Sequence, residues 1–287
     1  MIVHGGAVPI FRALCRGFLR GFEERVPHVT SPAVRRSALA ASAAALALLV
    51  TACGGSDEGD GGKDDAGKAA SASAAPAAEA LTAAELEKAA LVQADVKDGK
   101  VVTKVPAGDD IAADKVVAED EACRPLARVQ SGVAVGSPAA TVKRSWTGEP
   151  KKPAEGADVE KALQAGLDVD KVLVTLASYE DGGAEQVLKD VDAAAEKCAG
   201  GFGYTSVGEE FEIVKVAEAE APKGADEAIA LTLTLSAEGV EAPVNVVVTR
   251  TGSTVAAFSA VNFAAMGTGE KAPFPMPVAD AQLAKLG

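Results

Sequence analysis

The sequence predicts an α+β fold: an antiparallel sheet covered by helices on one face and closed by one disulfide. Three observations carry that prediction. In Ile229-Ala230-Leu231-Thr232-Leu233-Thr234-Leu235 apolar residues alternate with small or polar ones, the period-two pattern of a strand with one buried face. Ala184, Val187, Leu188, Val191, Ala195 and Cys198 share one stripe at helical spacing, and Gly200-Gly201 stops it. Helical segments precede the strand-rich last third and one follows it, so their place is against the sheet's apolar face.

In chain order the elements justify themselves locally. Thr82-Ala83-Ala84-Glu85 is a capping box that opens a helix running towards Leu91. Asp98-Gly99 turns the chain into a short strand over residues 100–105. A second helical piece carries Cys123 to about Val129, with Pro125 tolerable only in its first turn. Strands are predicted over 141–146 and 172–179, separated by a Pro/Lys-rich loop and a helix over 159–165. Gly182-Gly183 introduce the long helix. Strands then follow over 211–216, 229–235, 244–248 and 254–263, the last two joined through Thr251-Gly252-Ser253. A final helix covers 278–286. No internal period of 20–50 residues is present.

The N-terminal quarter is of another kind. Arg35-Arg36 feed an apolar run, Ser37 to Val50, that is short for a bilayer span. The run closes on Thr51-Ala52-Cys53, two small residues and a cysteine. These residues resemble the lipobox of bacterial secreted lipoproteins, with Val50 where Leu is commoner. The resemblance implies that the Cys53 thiol takes a diacylglyceryl group and that Cys53 becomes the first residue of the mature chain. The competing reading is an uncleaved anchor with an incidental cysteine. Upstream, Phe11, Leu14, Phe18, Leu19 and Phe22 recur at helical spacing among Arg12, Arg16 and Arg20. Residues 1–30 are therefore either a basic amphipathic helix or the product of a start assigned too far upstream. The organisation expected is a signal segment over 1–52, a lipidated flexible acidic and Ala/Gly-rich linker over 53–80, and one extracytoplasmic domain over 81–287. Between Gly54 and Glu79 there is no Val, Leu, Ile, Met or aromatic residue, so nothing there offsets the entropy of ordering.

Cleavage before Cys53 removes six basic residues (Arg12, Arg16, Arg20, Arg25, Arg35, Arg36) and two acidic ones (Glu23, Glu24), which takes the net charge from −13 to −17. Such a surface is repelled by phosphate backbones, which excludes nucleic acid as a partner. Both histidines, His4 and His28, leave with the signal. Without imidazole there is no Ser-His-Asp or Cys-His device and no histidine metal ligand, so neither an enzyme nor a metal site is expected. Of the four cysteines Cys15 is discarded and Cys53 acylated, leaving Cys123 and Cys198. In an oxidising compartment an isolated pair is expected to bond; two buried free thiols are the alternative.

Residues 81–287 carry a further resemblance. The helix opening Leu81-Thr82-Ala83-Ala84-Glu85-Leu86, the Cys123-Arg124-Pro125-Leu126 segment, the helix ending Ala194-Ala195-Glu196-Lys197-Cys198 and the strand Asn245-Val246-Val247-Val248 together resemble a group of actinobacterial lipoproteins. They are similar also to the extracellular sensor modules of mycobacterial serine/threonine kinases. Such modules have a second disulfide, for which this chain lacks the cysteines.

The motifs of chemistry are absent: no G-x-S-x-G, no S-x-x-K, no P-loop and no dinucleotide fingerprint. Asp57, Asp60, Asp64 and Asp65 lack the spacing and closing Glu of a calcium loop. Gly200-Gly201-Phe202-Gly203-Tyr204 reads either as an anion-binding concavity or as a helix stop followed by a turn. Glu209, Glu210 and Glu212 read either as a carboxylate pair of the glycosidase kind or as a solvated edge strand. Trp146, the one tryptophan, is a ligand-stacking candidate or a core residue. The function expected is that of a membrane-anchored extracytoplasmic lipoprotein acting as a non-enzymatic, sensor-like binding module, monomeric and without cofactor. Its partners would be the membrane, through the anchor, and a small ligand or envelope protein. The alternative is a lipid carrier holding an acyl chain between sheet and helices.

Overall fold

The computed structural model describes residues 79–237 and 239–287. The signal segment, Cys53 and the linker up to residue 78 lie outside the described residues. Nine strands form one antiparallel sheet: β1 (Lys100–Val102), β2 (Val116–Ala118), β3 (Ala140–Thr147), β4 (Asp170–Ser178), β5 (Phe202–Ser206), β6 (Glu209–Glu218), β7 (Glu227–Ala237), β8 (Val240–Thr251) and β9 (Thr254–Asn262). Their order is β1-β3-β4-β9-β8-β7-β6-β5-β2, so the two shortest strands occupy the edges. The α-helices are α1 (Ala83–Ala89), α2 (Arg124–Gln130), α3 (Val159–Leu167), α4 (Gly183–Lys197), α5 (Phe263–Thr268) and α6 (Met276–Leu283).

Alternation along the central strands sets the two faces. Leu231, Leu233 and Leu235 on β7, Val244, Val246 and Val248 on β8, and Val255 and Ala257 on β9 join one core with α2 and α4. Val172, Val174 and Leu176 on β4, Val247 on β8, and Ala256, Phe258 and Ala260 on β9 join a second core with α1 and α6. The fold class is the one the sequence indicates, but helical cover extends to both faces. The cause is visible in Val246-Val247-Val248, all buried: a central strand with no polar alternate residue must be covered twice.

Local chemistry matches the elements. The Thr82 hydroxyl accepts from the Glu85 amide while the Glu85 carboxylate accepts from the Thr82 amide, and α1 ends at Ala89, just short of the predicted Leu91. On α4, Ala184, Val187, Leu188, Val191 and Ala194 are buried, with Ala195 half-buried beside them. Each buried Val or Leu there contributes about 1.5–3 kcal/mol relative to exposure. Cys123 and Cys198 are bonded, joining the start of α2 to the end of α4 across 75 residues. Two strands escaped the sequence reading. β2 has only three residues, and β5 lies in the glycine-rich stretch assigned to a turn. The β5–β6 hairpin turns on Val207 and Gly208 with φ of 52° and 81°, a two-residue turn of the primed kind.

The first and last described helices meet on the second face. Gln282 of α6, fully buried, accepts from the Leu91 amide at 2.8 Å and donates to the Ala89 carbonyl at 2.8 Å. Arg144 of β3, 3% exposed, donates through Nε to the Leu91 carbonyl at 3.1 Å and pairs with Glu87 at 2.6 Å. At the start of the described chain, the Glu79 carbonyl accepts from the Ser253 hydroxyl and the Leu81 amide donates to Ser178.

Candidate functional site

On the α2/α4 face the sheet carries an open groove of about 1110 Å³. It is built where β5 leaves α4. The helix ends at Lys197, and Gly201, at φ 107°, carries the chain into β5. A Cβ at Gly201 would sit 2.3 Å from the Ile213 carbonyl, next to the register shift in β6, so only glycine permits this approach. The glycine stretch is thus a helix stop followed by a strand, and the anion concavity is not formed by it.

Beyond Gly201 the alternation Phe202, Tyr204 puts two aromatic rings on the helix-covered face. Tyr204 stacks on Phe211 of β6 with centroids 5.2 Å apart, and its hydroxyl donates to the Gln130 side chain at the end of α2. Burial pushes the Tyr204 hydroxyl above the usual phenol range, so it stays a neutral donor. Gln130 in turn is fixed through its carbonyl, which accepts from Ser259 on β9 at 2.7 Å. Ile213, Leu235, Val244, Val261, Phe263 and Met266 complete the apolar lining. Its border is acidic: Glu119, Glu209, Glu210 and Glu212 stand around the groove, Glu119, Glu210 and Glu212 directed to the other side of the sheet, and no lysine or arginine stands there.

The glutamates do not sit on a sheet edge. β6 pairs with β5 on one side and β7 on the other, and the edge beyond β5 is β2. They are solvent-exposed nonetheless: Glu210 and Glu212 alternate with the inward Phe211 and Ile213 and so point to the other side of the sheet, and Glu209 stands at the open end of β6. Trp146 is a core residue: 8% exposed, it donates from Nε1 to the Asp98 carbonyl at 2.9 Å on the opposite face. Cys123 and Cys198 are brought together; Cys53 lies outside the described residues. The space between sheet and helices where an acyl chain was envisaged is filled by buried side chains, so an apolar ligand would have to lie in the groove. Among the described residues there is no cluster of metal-ligating groups, and no helix is long and apolar enough to cross a membrane. Sequence reasoning missed Tyr204, Phe211 and Gln130. The alternation of Phe202, Tyr204 and Phe211, Ile213 was the available signal for the first two; nothing local marks Gln130.

No family model and no curated protein matches the chain. Among solved structures it is similar to the extracellular domain of PknH from Mycobacterium tuberculosis, at 15% identity and a TM-score of 0.42, over 72% of this chain and 95% of that one. A second similar structure is a putative uncharacterized protein of Mycobacterium smegmatis (Rv0999 ortholog), at 11% identity and a TM-score of 0.30, over 74% of this chain and 98% of that one.

Proposed function

We propose that this chain is a non-enzymatic extracytoplasmic binding module, anchored to the cell membrane by a lipid on Cys53, whose ligand sits in the groove along β5 and β6. The observation that carries the reading is the pairing of an apolar lining, Tyr204, Phe211, Ile213 and Leu235, with acidic residues and no basic ones. Concave apolar surface with a few convergent polar groups is the usual make-up of a ligand site. Carboxylates around the border without counter-charge make the local field negative, which favours a neutral or cationic partner that presents an apolar portion and disfavours an anion.

Two measurements test this. A solvatochromic naphthalene dye should bind the protein saturably at one site, and Phe211→Glu should abolish that binding without loss of cooperative unfolding. Non-saturable binding, or binding unchanged in Phe211→Glu, would overturn the groove as the site. For the anchor, Cys53→Ala should move the protein from the membrane fraction to the soluble fraction or leave it unprocessed. Normal processing and retention of that variant would refute lipidation.

A further inference from the structure

A second hollow, of about 560 Å³, opens between α2, α4 and the segment after α2. Its charge has the opposite sign to that of the groove. Arg124 and Arg128 stand one helical turn apart on α2, and Lys197 closes α4 across from them. Two acids share the walls, and both are engaged. Glu121 pairs with Arg124 at 2.6 Å, and Asp190 accepts from Gln186 at 2.7 Å.

Arg128 is different. Among the described residues its guanidinium makes no ion pair and no hydrogen bond, and its Nε is shielded from solvent with no acceptor. A guanidinium carries five donors in a planar fork and stays charged; with Nε shielded, the Nη donors are those left to meet a ligand from the hollow. The hollow beside it is wide enough for a small ligand, and Lys197 is solvent-exposed there without a carboxylate partner among the described residues. The disulfide Cys123–Cys198 ties the start of α2 to the end of α4, the two helices on which the cations stand.

We propose that the hollow between α2 and α4 is an oxyanion site, in which Arg128 binds the phosphate or carboxylate group of a small ligand and Lys197 supplies the second charge. The planar fork fits either oxyanion through two parallel N–H donors. On a chain of net charge −13 the long-range field opposes anions, so what binds here does so by direct donors rather than by steering. This site is independent of the groove, whose lining would repel the same ligand.

The test is isothermal titration calorimetry of the full chain with inorganic phosphate and, separately, with succinate, at ionic strength fixed by sodium chloride. One saturable site is expected for at least one of the two, and the preferred probe tells phosphate from carboxylate. Arg128→Gln should weaken binding at least about tenfold, the loss of one charge-assisted bond. Lys197→Gln, a change at an exposed position that leaves the core intact, should weaken it several-fold and serves if Arg128→Gln does not fold. Glu119→Gln in the groove should leave it unchanged. Absence of saturable heat with both probes, or binding by Lys197→Gln equal to that of the parent, would overturn the proposal.

Discussion

Replacing Gln282 by Met tests how the two ends of the domain hold each other. Methionine fills a similar volume but removes the amide that bridges α6 to the end of α1. Two groups then lose their partner: the Leu91 amide, in a residue with no exposed surface, and the Ala89 carbonyl, which is partly buried. A buried backbone group left unpaired costs about 1–3 kcal/mol, with the partly buried carbonyl at the low end. Arg144 still holds the Leu91 carbonyl, so the segment is weakened rather than released. The expected destabilisation is roughly 2–4 kcal/mol, or about 5–15 °C in Tm for a domain near 200 residues. Urea unfolding followed by far-UV circular dichroism gives the first figure, and amide hydrogen exchange at Leu91 should accelerate in step. Gln282→Glu adds a signature of its own. Its carboxylate faces the Ala89 carbonyl when charged but can donate to it when protonated, so this variant should regain stability relative to the parent as pH falls. A loss below about 0.5 kcal/mol for Gln282→Met would show that the bridge does not hold α1, and the accounting of orphaned groups would be wrong.

Cys198→Ala should cost about 2–5 kcal/mol, read by urea unfolding without reductant; two alkylatable thiols in the unreduced parent would contradict the bond. Val207→Asn should stabilise by about 0.5–1 kcal/mol, since Val207 is exposed at φ 52° and a β-branched side chain resists the left-handed region that Asn tolerates. A midpoint that stays the same or drops would show the turn to be unstrained. Hydrogen bonding from Lys151, opposed by burial and aided by Asn262, holds the Asp168 carboxyl below the usual carboxylate range. A depressed folded pKa gives stability that is present above the unfolded value and lost as pH falls through the folded one. The urea midpoint should therefore decline below about pH 4, and Asp168→Asn should flatten part of that decline. Parallel pH profiles for the two proteins would remove Asp168 from the account.

Local pattern made the long strands and all the helices but α5 legible; α5 was not predicted, since Phe263 reads as the end of a strand. The Thr82–Glu85 capping box, the α4 stripe and the alternation at 229–235 each express a rule that acts within one element, and each element lies where its pattern put it. What escaped depends on partners distant in sequence. β2 is three residues held by pairing with β5, and nothing in Val116-Val117-Ala118 separates it from a loop. β5 was hidden by its own glycines, which read as a turn because the approach of the bulged β6 that requires Gly201 is not written near it. The second covered face shows where alternation lapses, in Val246-Val247-Val248 and in the unbroken buried runs of β4 and β9. The groove was not legible at all, since Gln130, Tyr204 and Leu235 come from three distant segments. Arg128 carries no local sign of its place either, since the hollow it lines is closed by α4 and the segment around Gly136.

The meeting of the first and last described helices also bears on the order in which the domain can assemble. Gln282 reaches Leu91 and Ala89 across 191 and 193 residues, nearly the whole length of the domain. With only seven residues, α1 is too short to persist as an isolated helix; Arg144 of β3 can hold it early, but its end stays unbridged until α6 has been made. Contacts of this span pay their loop-closure entropy late and slow the approach to the native state. Among the described helices a ribosome delivers α1 first and α6 last, and in between the Leu91 amide and the Ala89 carbonyl wait for Gln282. The earliest of these helices completes its hydrogen bonds with the latest.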